Sequence, residues 1–326
     1  MLLTCQFCGI TDNCRSDDFQ MDSQNQGFWC EVCDGYTYID NNAKKHRFTL
    51  ILEDREEHNA FKPSLDIKLS KQLSPYRYPG GKSKLIDYLY TQLQQENNKK
   101  LVSPFTGGGS FELAMLESGV VESIHLNDRD LGVFGLWWTI KHMPYELIDR
   151  IKTHTPSHKD YFSAQSVIKS NYKGVNLIEA AWTSLLVNRL AYSGIYKANP
   201  LGGRYGDDQK LLSRWNPKNL IARIEKIHSI SGSIEVTNLD ALELIEEAYW
   251  EPNTTLFIDP PYVHKGKDLY FHHYKNEDHI SLPVLLDSLY HGCPGADIIV
   301  TYDHTKWLSE TYCYPIQQVI SRKYSA

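Results

Sequence analysis

Residues 256–262, Leu-Phe-Ile-Asp-Pro-Pro-Tyr, carry side chains suited to chemistry on a flat polar ligand. Apolar residues deliver the carboxylate of Asp259 to the end of a predicted strand, where open α/β sheets keep their sites. Because Pro260 and Pro261 have no N–H group, the local carbonyl oxygens stay free to accept hydrogen bonds from a ligand amine. The ring of Tyr262 is placed to stack on a planar heterocycle. The alternative is a strand that ends in a turn with a surface tyrosine.

A glycine-rich turn at residues 104–110, Pro-Phe-Thr-Gly-Gly-Gly-Ser, follows one predicted strand and precedes a predicted helix. The three glycines let the backbone pass close to a ligand, which is typical of a loop that binds a nucleoside cofactor. The turn lacks both the phosphate-binding Gly-Lys-Ser/Thr and the dinucleotide Gly-x-Gly-x-x-Gly spacing. Asp128 ends the next strand, about twenty residues further on, where α/β nucleotide folds bind ribose hydroxyls. A helix N-cap is the competing interpretation of Asp128.

A third motif, residues 76–84, reads Tyr-Arg-Tyr-Pro-Gly-Gly-Lys-Ser-Lys. It is a tight turn that carries an aromatic ring and a lysine just before a helix. Taken alone, it predicts either a phosphate-binding turn or an ordinary helix start.

Strands that alternate with helices must position these residues, and this alternation predicts a mostly parallel α/β sheet covered on both faces. A helical, basic stretch from residue 134 to residue 232 interrupts the alternation, so we expect it to be an insertion beside the sheet. Residues 44–70 are mixed and charged, and are typical of a linker or an added strand. The predicted strands are 101–105, 123–127, 233–237, 255–259 and 297–302, and the predicted helices include 111–118, 178–189 and 220–230.

The charge of the chain is unevenly distributed. The 326 residues carry a net charge of −6, which taken alone disfavours a nucleic-acid partner. Residues 135–232, however, contain 14 Lys and Arg against 7 Asp and Glu, a balance of +7. A polyanion would be drawn to this block alone, although chance and solubility needs also produce such a balance.

Composition bounds the class of protein. The chain is 41% hydrophobic and 23% charged, which excludes disordered and fibrous folds. No stretch approaches the roughly 18 apolar residues of a membrane span, and the first residues do not resemble a signal peptide. We therefore expect a cytoplasmic protein without a membrane partner.

Four of the seven cysteines form two Cys-x-x-Cys pairs. The pairs are Cys5 with Cys8 and Cys30 with Cys33, and 21 residues separate them. Four thiolates at this spacing predict a tetrahedral zinc site of the ribbon or knuckle type, in a reducing compartment. The segment is acidic, so we expect it to stabilise the fold, contact a protein partner or read the target with few contacts.

Together, the motifs resemble the Dam-like family of DNA adenine N6-methyltransferases, in the order of its α group. That order is the cofactor motif, then a target-recognition insert, then Asp-Pro-Pro-Tyr. The matching segments are residues 78–82, 104–109, 127–128 and 259–262, and further pieces agree at 188–195, 202–204 and 214–217. The resemblance covers roughly residues 74–320.

The resemblance implies a Rossmann-like methyltransferase fold with a mixed sheet, a mostly helical target-recognition insertion and a small N-terminal zinc-binding module. The expected divisions are a zinc module at 1–45, a linker at 46–73, a methyltransferase core at 74–133 and 233–326, and the insertion at 134–232. The implied partner is double-stranded DNA in a bacterial or phage-infected cell. Monomer and weak dimer both stay open.

The resemblance also implies roles for individual residues with S-adenosylmethionine as methyl donor. Asp128 would hold its ribose hydroxyls, Asp240 would lie near its adenine, and Tyr262 would stack on a flipped-out target adenine. The implied cofactor-binding residues are Tyr78, Lys82, Phe105, Gly107, Gly109, Asp128, Asp240 and Asp259; the implied catalytic residues are Asp259, Pro260, Pro261 and Tyr262. Our candidates for DNA contact in the basic block are Arg189, Lys197, Arg204 and Arg214.

One departure from the family pattern concerns the cofactor. Ser103 stands where an acidic residue often precedes Pro-Phe, so the methionine ammonium would fall to Asp259 and backbone groups. Three other functions stay open: methylation of cytosine N4, methylation of adenine in RNA, and an inactive zinc-containing DNA-binding protein.

Overall fold

The computed structural model describes backbone and side chains for 47–54, 63, 65–77, 80–93, 99–263, 274, 277–292, 295–312 and 315–320. It describes the backbone alone for residues 276 and 321 and for five short strands before residue 39.

Twelve strands occur in the described parts of the chain. They are β1 Leu2–Thr4, β2 Thr11–Asn13, β3 Phe19–Met21, β4 Gly27–Cys30, β5 Gly35–Tyr38, β6 Phe48–Asp54, β7 Lys100–Ser103, β8 Ser123–Asn127, β9 Ile234–Thr237, β10 Thr254–Ile258, β11 Asp297–Asp303 and β12 Ile316–Ser321.

Eleven α-helices and four 3-10 turns occur in the same parts. The helices are α1 Ile86–Tyr90, α2 Ser110–Glu117, α3 Leu131–His142, α4 Pro144–Thr153, α5 His158–Lys169, α6 Leu177–Leu190, α7 Asp208–Leu211, α8 Pro217–Ser229, α9 Ala241–Tyr249, α10 Asn276–His291 and α11 Lys306–Thr311. The 3-10 turns are Lys82–Lys84, Tyr192–Gly194, Leu212–Arg214 and Ser231–Ser233.

Seven strands form the central sheet in the order β12-β6-β11-β10-β7-β8-β9. All six strand pairings are parallel, so the sheet that the resemblance implied to be mixed is parallel throughout its described strands. Near-continuous runs of β-branched and apolar residues form the central strands, because both faces are covered by helices. All five residues of β10 are buried.

Alternate residues of each central strand feed two separate cores. Phe257 and Ile299 belong to the larger core on one face, while Leu256 and Val300 belong to the smaller core on the other. This two-residue period is the geometry of a strand buried on both sides. Because these strands are parallel, their carboxyl ends all lie at the same end of the sheet.

The segment assigned as a linker contains a strand. β6 lies inside the sheet, between β11 and β12, and six of its seven residues are buried. Of the two interpretations of residues 44–70, the added strand is the one that the structure has for Phe48–Asp54. Its run Phe-Thr-Leu-Ile-Leu is apolar enough to be buried on both faces.

Helices α3 to α8 fill the chain between β8 and β9, which are neighbouring strands. Apart from one isolated bridge between Ala191 and Pro200, no strand occurs in the expected insertion at 134–232, all of which the structure describes. α6 is buried around most of its circumference, as expected of a central helix in a bundle. None of the described helices is long and apolar enough to span a membrane.

The short strands before residue 39 form two small sheets. β1 and β2 pair antiparallel, and β3, β4 and β5 form an antiparallel sheet of three strands. Cys30 is the last residue of β4, where it pairs with Phe19 and Gly35.

Candidate active site

A cavity of about 250 Å³ opens where β7, β8, β9 and β10 end. The turns that follow these strands provide most of its lining. Seven of the eight predicted cofactor-binding residues line it: Lys82, Phe105, Gly107, Gly109, Asp128, Asp240 and Asp259. The eighth, Tyr78, lies outside the described residues.

The glycine turn forms one wall of the cavity and has a backbone that few other residues adopt. Gly107 and Gly109 have φ angles of +48° and +57°. A Cβ atom on Gly109 would lie 3.1 Å from the indole of Trp137, whose Nε1 donates to the carbonyl of Gly107 at 3.1 Å. Trp137 on α3 therefore supports the turn from behind, and side chains at these positions would disturb it.

Asp128 lies at the floor of the cavity and is not a helix cap. The cap of α3 is Asp130, whose side chain accepts hydrogen bonds from Gly132 and Val133. Asp128 accepts from the backbone N–H groups of Gly107, at 2.8 Å, and Asp130, at 2.9 Å. Burial, reinforced by the negative charge of Asp130, raises the pKa of Asp128 to about 7.

Asn127 ties together the turns that follow three strands. Its buried side chain donates to the carbonyls of Pro104 and Leu239 at 3.0 and 3.3 Å. Its Oδ1 accepts from Leu239 N–H at 2.7 Å and from the Thr237 hydroxyl at 2.8 Å. Because an amide both donates and accepts, one side chain fixes the relative positions of Asp128, the glycine turn and the turn at Asp240.

Among the described residues, only one of the two carboxylate oxygens of Asp259 has hydrogen-bond donors. Its Oδ1 accepts from Lys82 Nζ at 2.6 Å and from the Thr301 hydroxyl at 2.8 Å. No described residue donates to Oδ2, and the side chain is 19% exposed at the cavity. Burial raises the pKa of Asp259, the charge of Lys82 opposes this rise, and the charge of Glu53 adds to it.

Lys82 is buried beneath Asp259. Its Nζ reaches Glu53 at 2.8 Å, Asp259 at 2.6 Å, the Tyr262 hydroxyl at 2.9 Å and the Gly80 carbonyl at 3.2 Å. An ammonium has three protons, so these four partners already use its donor capacity. Lys82 lines the cavity, but its ammonium is already bound to protein atoms, and its contact with the cofactor stays a prediction.

Tyr262 and Pro260 are buried, unlike residues that offer an open surface for a base to stack on. The Tyr262 side chain is buried, with 4% exposure, and its hydroxyl donates to Glu53 at 3.2 Å. Pro260 is also buried, while Pro261 lines the cavity. Of the predicted catalytic residues, Asp259 and Pro261 line the cavity, whereas Pro260 and Tyr262 are buried and are not among its lining residues. The alternative of a surface tyrosine does not describe Tyr262.

Three further acidic residues belong to this region, and sequence reasoning missed them. Glu53, at the end of β6, was missed because that segment was assigned as a linker. Glu112 and Asp278 line the cavity from α2 and α10. A carboxylate one helical turn after the glycines is a signal that points to Glu112, since N-terminal turns project into such sites. Tyr274, which packs edge-to-face on Phe105 with 5.5 Å between ring centroids, was missed as well.

The segment before the site is held by the helical insertion. The backbone N–H of Arg77 donates to Asn188 at 2.8 Å, and the Asn188 amide returns a bond to the Arg77 carbonyl at 3.1 Å. Tyr76 is hydrogen-bonded to Ser184 on the same helix, α6. The motif at 76–84 is therefore bound to the insertion before its chain enters the cavity at Gly81.

The four candidate DNA-binding residues separate into two pairs. Arg189 and Arg214 are half-buried, and Arg189 donates to the Arg214 carbonyl at 2.6 Å. Lys197 and Arg204 are exposed, in the loop that follows α6. Arg204 lies 5.5 Å from the Phe162 ring and 6.0 Å from the ring of Tyr205, which is 93% exposed.

The predicted zinc ligands cannot be placed. Cys5, Cys8 and Cys33 lie outside the described residues, as does the side chain of Cys30. Among the side chains that the structure does describe, no cluster of three or more metal-ligating groups occurs.

A parallel sheet with a glycine turn, a strand-end carboxylate and a second carboxylate at Asp259 defines a Rossmann-like α/β enzyme with a nucleoside-binding cavity. Residues 78–322 match the family model of the D12 class of N6 adenine-specific DNA methyltransferases, and the chain belongs to this family. It is therefore an enzyme that methylates DNA adenine at N6, and its family implies S-adenosylmethionine as methyl donor.

A curated relative gives the same class. The chain is 20% identical over 227 residues to the Type II methyltransferase M.MjaIII of Methanocaldococcus jannaschii. The match covers 64% of this chain and 75% of the relative.

Proposed function

We propose that the cavity binds S-adenosylmethionine through the residues that line it and that Asp259 acts on the target amine. The lining contains five acidic side chains, Glu112, Asp128, Asp240, Asp259 and Asp278, against the basic Lys82 and Arg129. A ligand that bears an ammonium and a sulfonium suits such a cavity, whereas the pyrophosphate of a dinucleotide would be repelled. All three glycines of the turn line the cavity, so a ligand there can approach their backbone.

The observation that carries the catalytic proposal is that the two oxygens of Asp259 differ: Oδ1 is hydrogen-bonded to the protein, and Oδ2 has no donor among the described residues. Lys82 and Thr301 fix Oδ1, so the carboxylate cannot rotate and Oδ2 keeps one direction. An adenine N6 amine is a poor nucleophile because its lone pair is delocalised into the ring. Acceptance of an N6 hydrogen by Oδ2, together with the Pro260 carbonyl, draws the nitrogen towards tetrahedral geometry and localises that lone pair. S-adenosylmethionine, when bound, supplies the electrophilic methyl group.

Asp259→Asn tests this assignment, since it keeps the shape and replaces an acceptor with a donor. Methyl transfer should fall by about 100-fold or more, because general-base and alignment effects of this kind contribute about 10²–10⁴. Binding of S-adenosylmethionine, measured by calorimetry, should fall much less. Unchanged turnover would remove Asp259 from catalysis.

We propose that Tyr262 stacks on a target adenine that has left the duplex. Flipping costs a few kcal/mol, and stacking on an aromatic ring recovers about 1–3 kcal/mol of it. The hydroxyl bonds to Lys82 and Glu53 support this role by fixing the ring plane, although the ring must gain exposure when DNA binds.

We propose that the basic insertion is the face that meets double-stranded DNA. The exposed Lys197 and Arg204, next to the exposed ring of Tyr205, support this role because phosphate contacts come from Lys and Arg and bases stack on aromatics. Arg204→Gln should weaken DNA binding and reduce the slope of log affinity against log salt by about one. If neither the affinity nor the slope changes, Arg204 is not at the DNA.

For the N-terminal segment we propose a structural zinc ion on Cys5, Cys8, Cys30 and Cys33. The donor set supports it, because four thiolates suit tetrahedral Zn²⁺ and a reducing cytoplasm keeps them free to bind. One zinc per chain by elemental analysis, lost in Cys5→Ser with Cys30→Ser, is the expected result. The segment's acidic charge favours a role in stability or in a protein contact.

We propose that the enzyme is site-specific and works as a monomer or weak dimer. Family membership favours adenine over cytosine N4, and a DNA substrate over RNA. Single-molecule sequencing of DNA from an expressing, methylation-free host reports the base and the site together. A host genome without modified adenine would contradict the proposal.

A further inference from the structure

Glu112 is a buried acid in the wall of the cavity. It lies in the first turn of α2, is 2% exposed and lines the cavity beside the glycine turn. The hydroxyl of Ser103 donates to its Oε1 at 2.6 Å. Burial raises the pKa of Glu112 to about 7, and the charge of Asp259 adds to this rise.

A cap on the helix alone does not account for this burial. An acidic residue in a first helical turn already stabilises the helix by about 0.3–1 kcal/mol when it is exposed. Burying a carboxylate costs free energy unless it is paired with a cation. The free protein thus bears a cost at Glu112 that its place in the helix does not require.

The described residues provide no cation for Glu112. Lys82 acts on it electrostatically, but the ammonium of Lys82 is bound to Glu53, Asp259, Tyr262 and Gly80. No other lysine or arginine among the described residues forms an ion pair with Glu112. The carboxylate is therefore held in place by Ser103, at the cavity, without an ionic partner from this part of the chain.

We propose that Glu112, oriented by Ser103, binds the ammonium of the methionine moiety of the cofactor. The proposal rests on the proposed binding of S-adenosylmethionine in this cavity. Ser103 and Glu112 would then together take the place of the acidic residue that often precedes Pro-Phe in the family. Asp259 keeps its second oxygen for the target amine.

The test compares two ligands that differ in that ammonium. S-adenosylhomocysteine carries the amino group, and S-adenosyl-4-thiobutyrate is the same molecule without it. Calorimetry measures both affinities for the whole chain, for Glu112→Gln and for Glu117→Gln, a matched change on the same helix outside the cavity. Glu112→Gln keeps the volume and the acceptor for Ser103, and circular dichroism checks that it folds.

Glu112→Gln should weaken S-adenosylhomocysteine by about 10- to 100-fold, the value of one charge-assisted hydrogen bond, and leave the desamino ligand within about twofold. Glu117→Gln should change neither. Ser103→Ala should reduce the same selectivity by a smaller factor, and it keeps the test valid if Glu112→Gln does not fold. An unchanged ratio of affinities in both cavity variants overturns the proposal. If the unmodified chain binds neither ligand, the proposed function fails as well.

Discussion

Lys82→Met offers a quantitative test of the charged centre beneath the cavity. The substitution keeps a long apolar stem and removes the ammonium that Glu53 and Asp259 share at 2.8 and 2.6 Å. Glu53 is 2% exposed, so two buried carboxylates would lose their cation. Breaking a buried pair from one side costs about 3–5 kcal/mol of the free energy of unfolding. With a urea slope of about 3 kcal/mol/M, the midpoint should fall by about 1–1.7 M.

A double variant separates this electrostatic cost from lost packing. Lys82→Met with Glu53→Gln removes one of the two like charges, so it should be less destabilised than the sum of its parts by about 0.5–3 kcal/mol. Strict additivity would contradict a shared cation, as would an unchanged midpoint for Lys82→Met.

The cost of Lys82→Met should also depend on pH. Without the opposing charge of Lys82, the pKa of Asp259 rises further above its unfolded value. The folded variant then binds a proton that the unfolded chain does not, so its stability increases as pH falls through the folded-state pKa. Urea midpoints measured at two pH values should show the deficit of Lys82→Met shrinking at the lower one. A deficit that grows towards low pH would refute the argument.

Three other predictions follow from the site. In single-turnover assays, Tyr262→Phe should retain most of the rate of methyl transfer, while Tyr262→Ala should lower that rate by about 10- to 100-fold because the stacking energy is lost. Equal losses in the two variants would instead make the hydroxyl essential. Because the pKa of Asp128 is raised to about 7, its contribution to stability should fall as pH rises from about 4 to 7, and Asp128→Asn should flatten that dependence in urea unfolding. Burial and the charges of Arg223, Arg77 and Arg214 lower the pKa of Arg189 to about 10. The four like charges repel one another, so we expect them to bind a DNA phosphate. Arg223→Gln should then reduce the slope of log DNA affinity against log salt, and an unchanged slope would place these arginines away from the DNA.

Most of the sheet could be predicted because buried parallel strands are short apolar runs bounded by turns. The prediction for 123–127 matches Ser123–Asn127, and the prediction for 255–259 differs from Thr254–Ile258 by one residue. Phe48–Asp54 was ambiguous, because charged residues surround its apolar run. Ile316–Ser321 was not predicted at all, because polar residues interrupt it.

The site was predictable where chemistry is local and not where it depends on the fold. The glycine turn, Asp128 and Asp259 follow strands directly, so their positions at one edge could be inferred from the chain. Glu53 reaches the same centre from a strand more than two hundred residues from Asp259, and only the order of strands in the sheet shows this. The hydroxyl of Tyr262 also donates to Glu53, and this contact depends on the same strand order.

The helical insertion leaves the sheet after the carboxyl end of β8 and re-enters it at the start of β9, and these two strands are parallel neighbours with Ile124 opposite Ile234. A segment whose two ends are fixed by neighbouring strands can change its length at small entropic cost, about 0.6 kcal/mol for each doubling. We therefore expect that the helical insertion can be exchanged between relatives at these two points. Such chimaeras should methylate a different DNA sequence, while methyl transfer still takes place in the original sheet and cavity.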